Sequence, residues 1–324
     1  VTSPNHTDRV PVVCVGVLVA DHLSTPISHL PAAGELVMAD DLVLNIGGNA
    51  SNAGMALAKL GIRATVCGRV GKDVFGRFVS DTLANAGVDV SSLAVDPTRA
   101  TSQSLIVNVK GQDRRFVHSF GANASLTAAD LDPLIALNPR VLFVGGYMIL
   151  PGLTAEGLAS RFQTAKRNGA YTVLDIATPG PADYIPHFTP VLPHVDFFLP
   201  NTDEAALILG EHDPVKQADA FHKMGAKTVV ITCGSEGSVV ISNTLRARIR
   251  PYPVEFVDGT GGGDAFAAGF ITGLLEDLDE LSRLKLASAI GASCVRAVGT
   301  TAGIFTRAEA DEFIAKNVLR VEPI

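Results

Sequence analysis

Short apolar runs alternate with longer stretches of helical period through most of the 324-residue chain. The runs at 10–19 (VPVVCVGVLV), 64–70 (ATVCGRV), 140–145 (RVLFVG), 171–176 (YTVLDI), 195–199 (VDFFL) and 227–233 (KTVVITC) are apolar on both faces. That is the pattern of strands buried in a parallel sheet. Between them, periodicity predicts helices at 50–60, 74–86, 155–168, 203–210 and 214–224. Long helices at 264–276 and 280–297 follow, then a last one near 307–317. Strand–helix alternation over this length predicts a doubly wound α/β domain, a core sheet flanked by helices.

Two segments break the rhythm. Residues 23–46 and 99–120 lack helical period, and the second alternates around a turn at KGQD. Both are read as strands of a small β-sheet inserted into the main domain as a lid. The α/β domain is then 1–22, 47–98 and 121–324. Strands of so small a sheet need a covering partner, a substrate beneath or another subunit beside them. No linker rich in Pro, Gly or Ser splits the chain, and no internal repeat occurs.

Composition narrows function more than fold. A net charge of −7 and a pI near 5.6 argue against a broad nucleic-acid surface. No apolar run is long enough to span a membrane, and the polar start VTSPNHTDR does not resemble a secretory signal. The four cysteines, Cys14, Cys67, Cys233 and Cys294, are far apart, with no Cys-x-x-Cys pair, and the eight histidines are dispersed. Buried reduced thiols in a cytoplasmic protein are therefore expected, without disulfides or zinc.

Chemistry concentrates in DGTGGGDAFAAGF, Asp258 to Phe270. A helix beginning near Gly263 leaves its first N–H groups without partners, and glycines at 261–263 let an anion approach them. The helix dipole favours negative charge at the same point. The best guest is a phosphoryl group gathering charge in a transition state. Asp264 cannot bind it, because like charges repel, but is placed to accept the proton of a hydroxyl attacking it. Asp258 is a candidate to ligate a cation or tie the loop down. The plainer reading, Asp264 as a cap and the glycines as turn residues, is equally open from this stretch alone.

A second glycine motif, IGGNASNAGMALAKLG at 46–61, sets Gly47 and Gly48 after a strand and Asn49 and Asn52 at a helix start. Those asparagines suit sugar hydroxyls, or act as caps. Asp21 ends GVLVAD, where ligands of α/β sheets sit.

With these residues in place, the sequence resembles the PfkB (ribokinase-like) carbohydrate kinases across essentially the whole chain. GGNASNAGMALAKLG followed by Gly71 is similar to the family's N-terminal signature, and DGTGGGDAFAAG to its C-terminal one. PNTDEA (200–205) resembles its N-x-x-E element, and TCGSEG (232–237) its T-x-G-x-x-G. The resemblance implies a ribokinase-like fold and ATP-dependent, Mg²⁺-dependent phosphorylation of a sugar or polyol. By position it implies Asp264 as the base and Gly261, Gly262 and Gly263 as the anion hole. Asp21, Gly47, Gly48, Asn49 and Asn52 would line the sugar pocket. Asn201 and Glu204 would position Mg²⁺ and the phosphates, Glu204 through water. Thr232, Gly234 and Gly237 would approach the nucleotide, with Ser288 near adenine. Asp258 and the Thr260 carbonyl would hold a monovalent cation such as K⁺, and the lid would mediate a homodimer.

Departures bear on the acceptor. Gly259 stands where Thr, Pro, Ser or Val is usual, Val19 where ribokinases have Asn, Asn49 where Lys is common, and Tyr147 near a usual sugar-contacting Glu. Arg114, Arg115 and His118 in DRRFVHSFGAN are candidates to face an acidic or phosphorylated sugar, a solvated charged face being the alternative. Neither the dinucleotide G-x-G-x-x-G nor the P-loop G-x-x-x-x-G-K-[ST] follows a strand here. A nucleoside kinase of the same fold, or a sensor that kept the fold without the chemistry, are the other readings.

Overall fold

The computed structural model describes residues 9–112 and 115–324. In chain order it opens with β1 (Val12–Gly16), β2 (Val19–Ser24), β3 (Leu42–Gly47), α1 (Asn49–Lys59), β4 (Ala64–Gly71), α2 (Val74–Asn85), β5 (Asp89–Asp96), β6 (Gln103–Val107) and β7 (Arg115–Ser119). The middle adds α3 (Asp132–Ala136), β8 (Val141–Gly145), α4 (Ala155–Arg167), β9 (Tyr171–Leu174), α5 (Ile185–Phe188), β10 (Phe197–Phe198), α6 (Thr202–Leu209), α7 (Pro214–Lys223) and β11 (Thr228–Thr232). The last third is β12 (Ser238–Ser242), β13 (Arg246–Ile249), α8 (Gly262–Leu275), α9 (Glu280–Cys294), α10 (Arg307–Lys316) and β14 (Val321–Pro323).

Ten strands form the large sheet in the order β14-β13-β12-β11-β10-β9-β8-β1-β4-β5. From β11 to β5 every pairing is parallel. Strands β12, β13 and β14 continue it antiparallel, with β14 at the edge. Successive residues of a strand point to opposite faces, so the apolar runs feed two cores. Val12, Cys14, Phe143 and Val173 pack with α1, α8 and α9 on one face. Val13, Val15, Leu142, Val144 and Leu174 pack with α4, α6 and α7 on the other. The doubly wound expectation holds. Helix α8 is buried along nearly its whole length, as a helix apolar all round must be.

The four-stranded sheet runs β3-β2-β6-β7, separate from the large one. Its β2/β3 and β6/β7 pairs are antiparallel, and β2/β6 is parallel. The apolar run at 10–19 is not one strand. The chain leaves the large sheet after Gly16 and enters the small one at Val19, so Asp21 belongs to the small sheet and not to the α/β domain expected to run to residue 22. Both halves are buried, and hydrophobicity carries no mark of the change of sheet. The junction is clasped from outside: Leu18 N–H donates to Asn123 Oδ1 (3.3 Å), and Asn123 Nδ2 donates to Leu18 O (2.9 Å).

All four cysteines are free. Among the described residues no helix is long and apolar enough to cross a membrane. The second core centres on Phe188, Phe198 and Phe221, with Phe198 and Phe221 edge-to-face at 4.9 Å. Phe221 is fully buried. Phe221→Ala is expected to destabilise the fold by about 3–5 kcal/mol, read as a lowered urea midpoint with an unchanged slope.

Candidate functional site

Several distant segments meet at the C-terminal ends of the parallel strands, where ligands of α/β sheets bind. Asp175 follows β9 and Thr232 ends β11. The first turns of α1, α6 and α8 bring Asn49, Glu204 and Asp264 to the same place, around a cavity of about 130 Å³. Sites for a nucleotide with its acceptor run to roughly 300–1,000 Å³. At about 130 Å³ this cavity is smaller than a site for a whole drug-sized ligand.

Asp264 sits on the first turn of α8 and is only 9% exposed. Its two oxygens accept from two amides of α1: Asn49 Nδ2 to Oδ1 at 3.0 Å and Asn52 Nδ2 to Oδ2 at 2.8 Å. Asn49 Nδ2 also lies 3.3 Å from Asp175 Oδ2, so one amide spans two carboxyls. Both asparagines, expected in the sugar pocket, thus hold the carboxylate. The buried Asn52 Oδ1 has no partner, an acceptor suited to a hydroxyl or water.

Gly261 caps α8 with φ +76°, and a Cβ built there would lie 2.8 Å from Thr300 Cα. Only glycine satisfies both demands. The Gly262 N–H donates to Gly259 O at 3.3 Å. The Gly261 and Gly263 N–H groups find no acceptor among the described residues, and space at Gly263 is open. Two unpaired amides at the positive end of a 14-residue helix are able to receive an anion.

Three carboxyls line the cavity, with no Lys, Arg or His beside them among the described residues. Burial raises Asp264 to about 6, against the pull of the Asn52 and Asn49 amides. Glu204 is pushed up to about 7, first by burial, with the Asp264 and Asp203 charges adding and the Asn201 N–H opposing. Asp175 lies well above the ordinary carboxylate range, through burial and then the charges of Glu204 and Asp264. A base poised near neutral pH beside an anion hole can take a proton from a hydroxyl there.

Asn201 and Glu204 form a capping box on α6: Asn201 Oδ1 accepts from Glu204 N (2.8 Å), and Glu204 Oε2 from Asn201 N (3.0 Å). The glutamate is thereby fixed with its charge toward the cavity. Among the described residues no group of three His, Cys, Asp or Glu side chains could hold a metal unaided. Three mutually repelling carboxyls around one cavity nonetheless fit Mg²⁺, which keeps several waters and leans on one or two carboxylates plus phosphate.

The other expected residues fall as follows. Asp21 lies on β2, Gly47 ends β3 and Gly48 caps α1. Thr232 lines the cavity, while Gly234 and Gly237 shape the β11–β12 turn and Ser288 is half-buried on α9, all three outside the cavity lining. Asp258 fastens its own loop, accepting from the Thr260 N–H (3.0 Å) and hydroxyl (2.7 Å) and from Gly299 N–H (3.1 Å). Arg115 and His118 are exposed on β7, and Arg114 lies outside the described residues. Tyr147 is buried in the second core against Phe188; its side chain does not line the cavity, and its N–H donates to the Asp175 carbonyl at 3.4 Å. Asp175 was not anticipated from sequence. Its signal was the one applied to Asp21, an aspartate at the end of an apolar run.

The model for the pfkB family carbohydrate kinases matches residues 11–307. A ribokinase of Haemophilus influenzae is 28% identical over 314 residues, 94% of this chain and 99% of its own length. A 5-dehydro-2-deoxygluconokinase of Clostridium botulinum is 25% identical over 283 residues, covering 83% and 84%. Among solved structures, an Arabidopsis thaliana ribokinase complexed with ribose and ATP superposes with a TM-score of 0.80 at 22% identity, covering 94% of this chain and 98% of that one. That likeness gives the fold its ribokinase-like type.

Because the Asp264 pKa is raised in the folded state, folding is weakened as pH rises through about 6. Asp264→Asn removes that charge. The variant is expected to melt no lower than the wild type at pH 8, and its advantage should shrink by pH 5, where Asp264 is already protonated. Thermal melts at the two pH values check the sign.

Proposed function

The chain belongs to the pfkB carbohydrate kinase family, so it is a phosphotransferase acting on a sugar-type alcohol, and we propose that Asp264 is the base that activates the acceptor. In this reading the hydroxyl of a sugar or related polyol gives its proton to Asp264 as the γ-phosphoryl group of ATP passes in line to the hydroxyl oxygen. The Gly261 and Gly263 amides, with the α8 dipole, receive the charge gathering on the phosphoryl oxygens. The observation that carries this is the pairing of a buried carboxyl raised to about 6 with unpaired amides at the same helix start.

Mg²⁺, bound through Glu204 and water and near Asp175, would screen the carboxyls from the phosphates and neutralise charge on the oxygens in flight. Asn49 and Asn52 orient Asp264, and the small sheet closes over the acceptor and excludes water. Asp258 and the Thr260 carbonyl would take K⁺, pinning the loop that leads into the anion hole. A sensor without chemistry has no need of Asp264 and Glu204 in these environments, which favours the enzyme.

The same reading extends to a homodimer through the lid. Leu44, Leu105 and Val117 occupy one row of the sheet face opposite Asp21, and all three are exposed. A second copy would cover them.

The deciding assay is ADP release across a panel of sugars, polyols, sugar phosphates and nucleosides. Asp264→Asn is expected to lower kcat by about 10²–10⁴-fold while Mg²⁺-ATP binding persists. Wild-type turnover in that variant would remove Asp264 from the reaction. In the free enzyme kcat/KM should fall as pH drops through the range from about 7 to about 6, as Glu204 and Asp264 take up protons. A flat profile there would count against both assignments.

A further inference from the structure

Two loops are fastened side by side at the start of α8. One, 257–261, leads into the Gly261 and Gly263 amides. The other, 295–303, leaves the end of α9 and folds back on it. Val257 N–H (2.8 Å) and Asp258 N–H (3.1 Å) both donate to Val295 O, and Gly299 N–H donates to Asp258 Oδ2 at 3.1 Å. Gly261 rests directly on the second loop: a Cβ built there would lie 2.8 Å from Thr300 Cα and 2.9 Å from Thr300 O. The Thr300 backbone is therefore a wall behind the left-handed turn that faces the Gly261 N–H outward.

That wall is held from two directions. From α9, the Cys294 thiol donates to Thr300 O at 3.2 Å, and Gly303 packs so closely that a Cβ there would come within 2.5 Å of Ser293 O. From α1 comes its last residue, Lys59. The Lys59 ammonium donates to Thr301 O at 3.3 Å and to Ala302 O at 3.2 Å, across 242 and 243 residues of chain. These are the two carbonyls that follow Thr300. Thr301 O also accepts from Ile304 N–H at 3.2 Å, so the ammonium grips a turn that is already closed. A charged donor makes such bonds stronger than a neutral one would.

A basic residue in the last turn of a helix also favours the helix dipole. That role needs only a cation pointing into water, and leaves unexplained why this one sits on two carbonyls of a distant loop. The opposite end of the same helix holds Asp264 through Asn49 and Asn52. Helix α1 thus touches both the carboxyl and the wall behind the amides.

On the phosphotransfer reading above, we propose that Lys59 is a positioning residue: by gripping the Thr301 and Ala302 carbonyls it fixes the Thr300 wall, and so sets the anion-receiving amides against the Asp264 carboxyl without touching substrate. The setting matters most in the transition state, where the phosphoryl group has to meet the amides while the base meets the hydroxyl. Small misplacements of such groups are costly in rate. Binding of Mg²⁺-ATP and acceptor in the ground state makes less demand on it.

The test uses the full chain, Mg²⁺-ATP and the acceptor that the panel above identifies. Lys59→Met keeps the apolar stem and removes the ammonium. It is expected to lower kcat about 5- to 20-fold, the size of one lost charge-assisted contact, with the KM for ATP and for acceptor within about twofold. Lys59→Arg, whose guanidinium can span two carbonyls, should bring kcat back to within about twofold of the wild type. Lys59 is exposed, so its replacement opens no cavity, and both variants should melt within about 3 °C of the wild type. An unchanged kcat in Lys59→Met, a fall that Lys59→Arg does not restore, or a loss that appears in KM instead overturns the inference and leaves the kinase standing. If the wild type releases ADP with no acceptor while calorimetry shows Mg²⁺-ATP bound, the phosphotransfer reading fails and this inference with it.

Discussion

Two amides from the first helix, those of Asn49 and Asn52, hold the Asp264 carboxylate at the start of the eighth, across 215 and 212 residues of chain. A carboxylate taken out of water is tolerated only if donors satisfy it. Here the donors are neutral amides; a lysine in that place would pair with the carboxylate and hold its pKa down. Neutral amides leave the carboxyl basic. Much of the large sheet serves this one contact: β1 and β4 carry α1 against α8, and β9 delivers Asp175 to the same amide. The result is a cluster of carboxyls, each raising its neighbours' pKa, held in place by the surrounding cores. Such a cluster weakens the resting fold at neutral pH, and proteins commonly accept that at working sites.

The start of α8 meets two opposed demands within four residues. On the proposed reading, an anion has to be drawn in and a base has to stand beside it without repelling it. Separation by chemical type resolves the conflict, because attraction comes from backbone amides while the base points away into the Asn49 and Asn52 cradle. Glycine at 261 is what allows the backbone to turn sharply enough to face the amides outward.

Most of this was legible in the chain, and the gaps have physical causes. Helices α1, α2, α4 and α7 were readable to within a residue or two because one face of each is apolar. Helix α8 was readable through its glycines and aspartate instead, being buried all round. Strand β5 (DVSSLAVD) was missed because its half-exposed residues look like a loop. Strands β12 and β13 are short antiparallel strands, joined by the tight turn Ser242–Leu245. The helix expected to reach 297 stops at Cys294, where the thiol turns to the Thr260 and Thr300 carbonyls. Asp175 was hidden because a lone aspartate at a strand end belongs to no motif; only its convergence with Glu204 and Asp264 gives it meaning.

The clasp at Leu18 sets how the small sheet can move. With Leu18 held at both its N–H and its carbonyl by Asn123, a moving β2 would have to pivot from Val19 outward. Its neighbour β3 runs through Gly47 and Gly48 directly into α1, whose first residue is Asn49. If the small sheet closes as proposed, a tilt of it would therefore be passed to the Asn49 amide that holds Asp264. A poorly seated substrate, one that leaves the lid ajar, would find Asp264 less well held and more inclined to keep its proton. On the proposed reading, fit at the far rim would be converted into acidity at the centre, a mechanical interlock that would withhold the chemistry from water until the right guest had pulled the cover down.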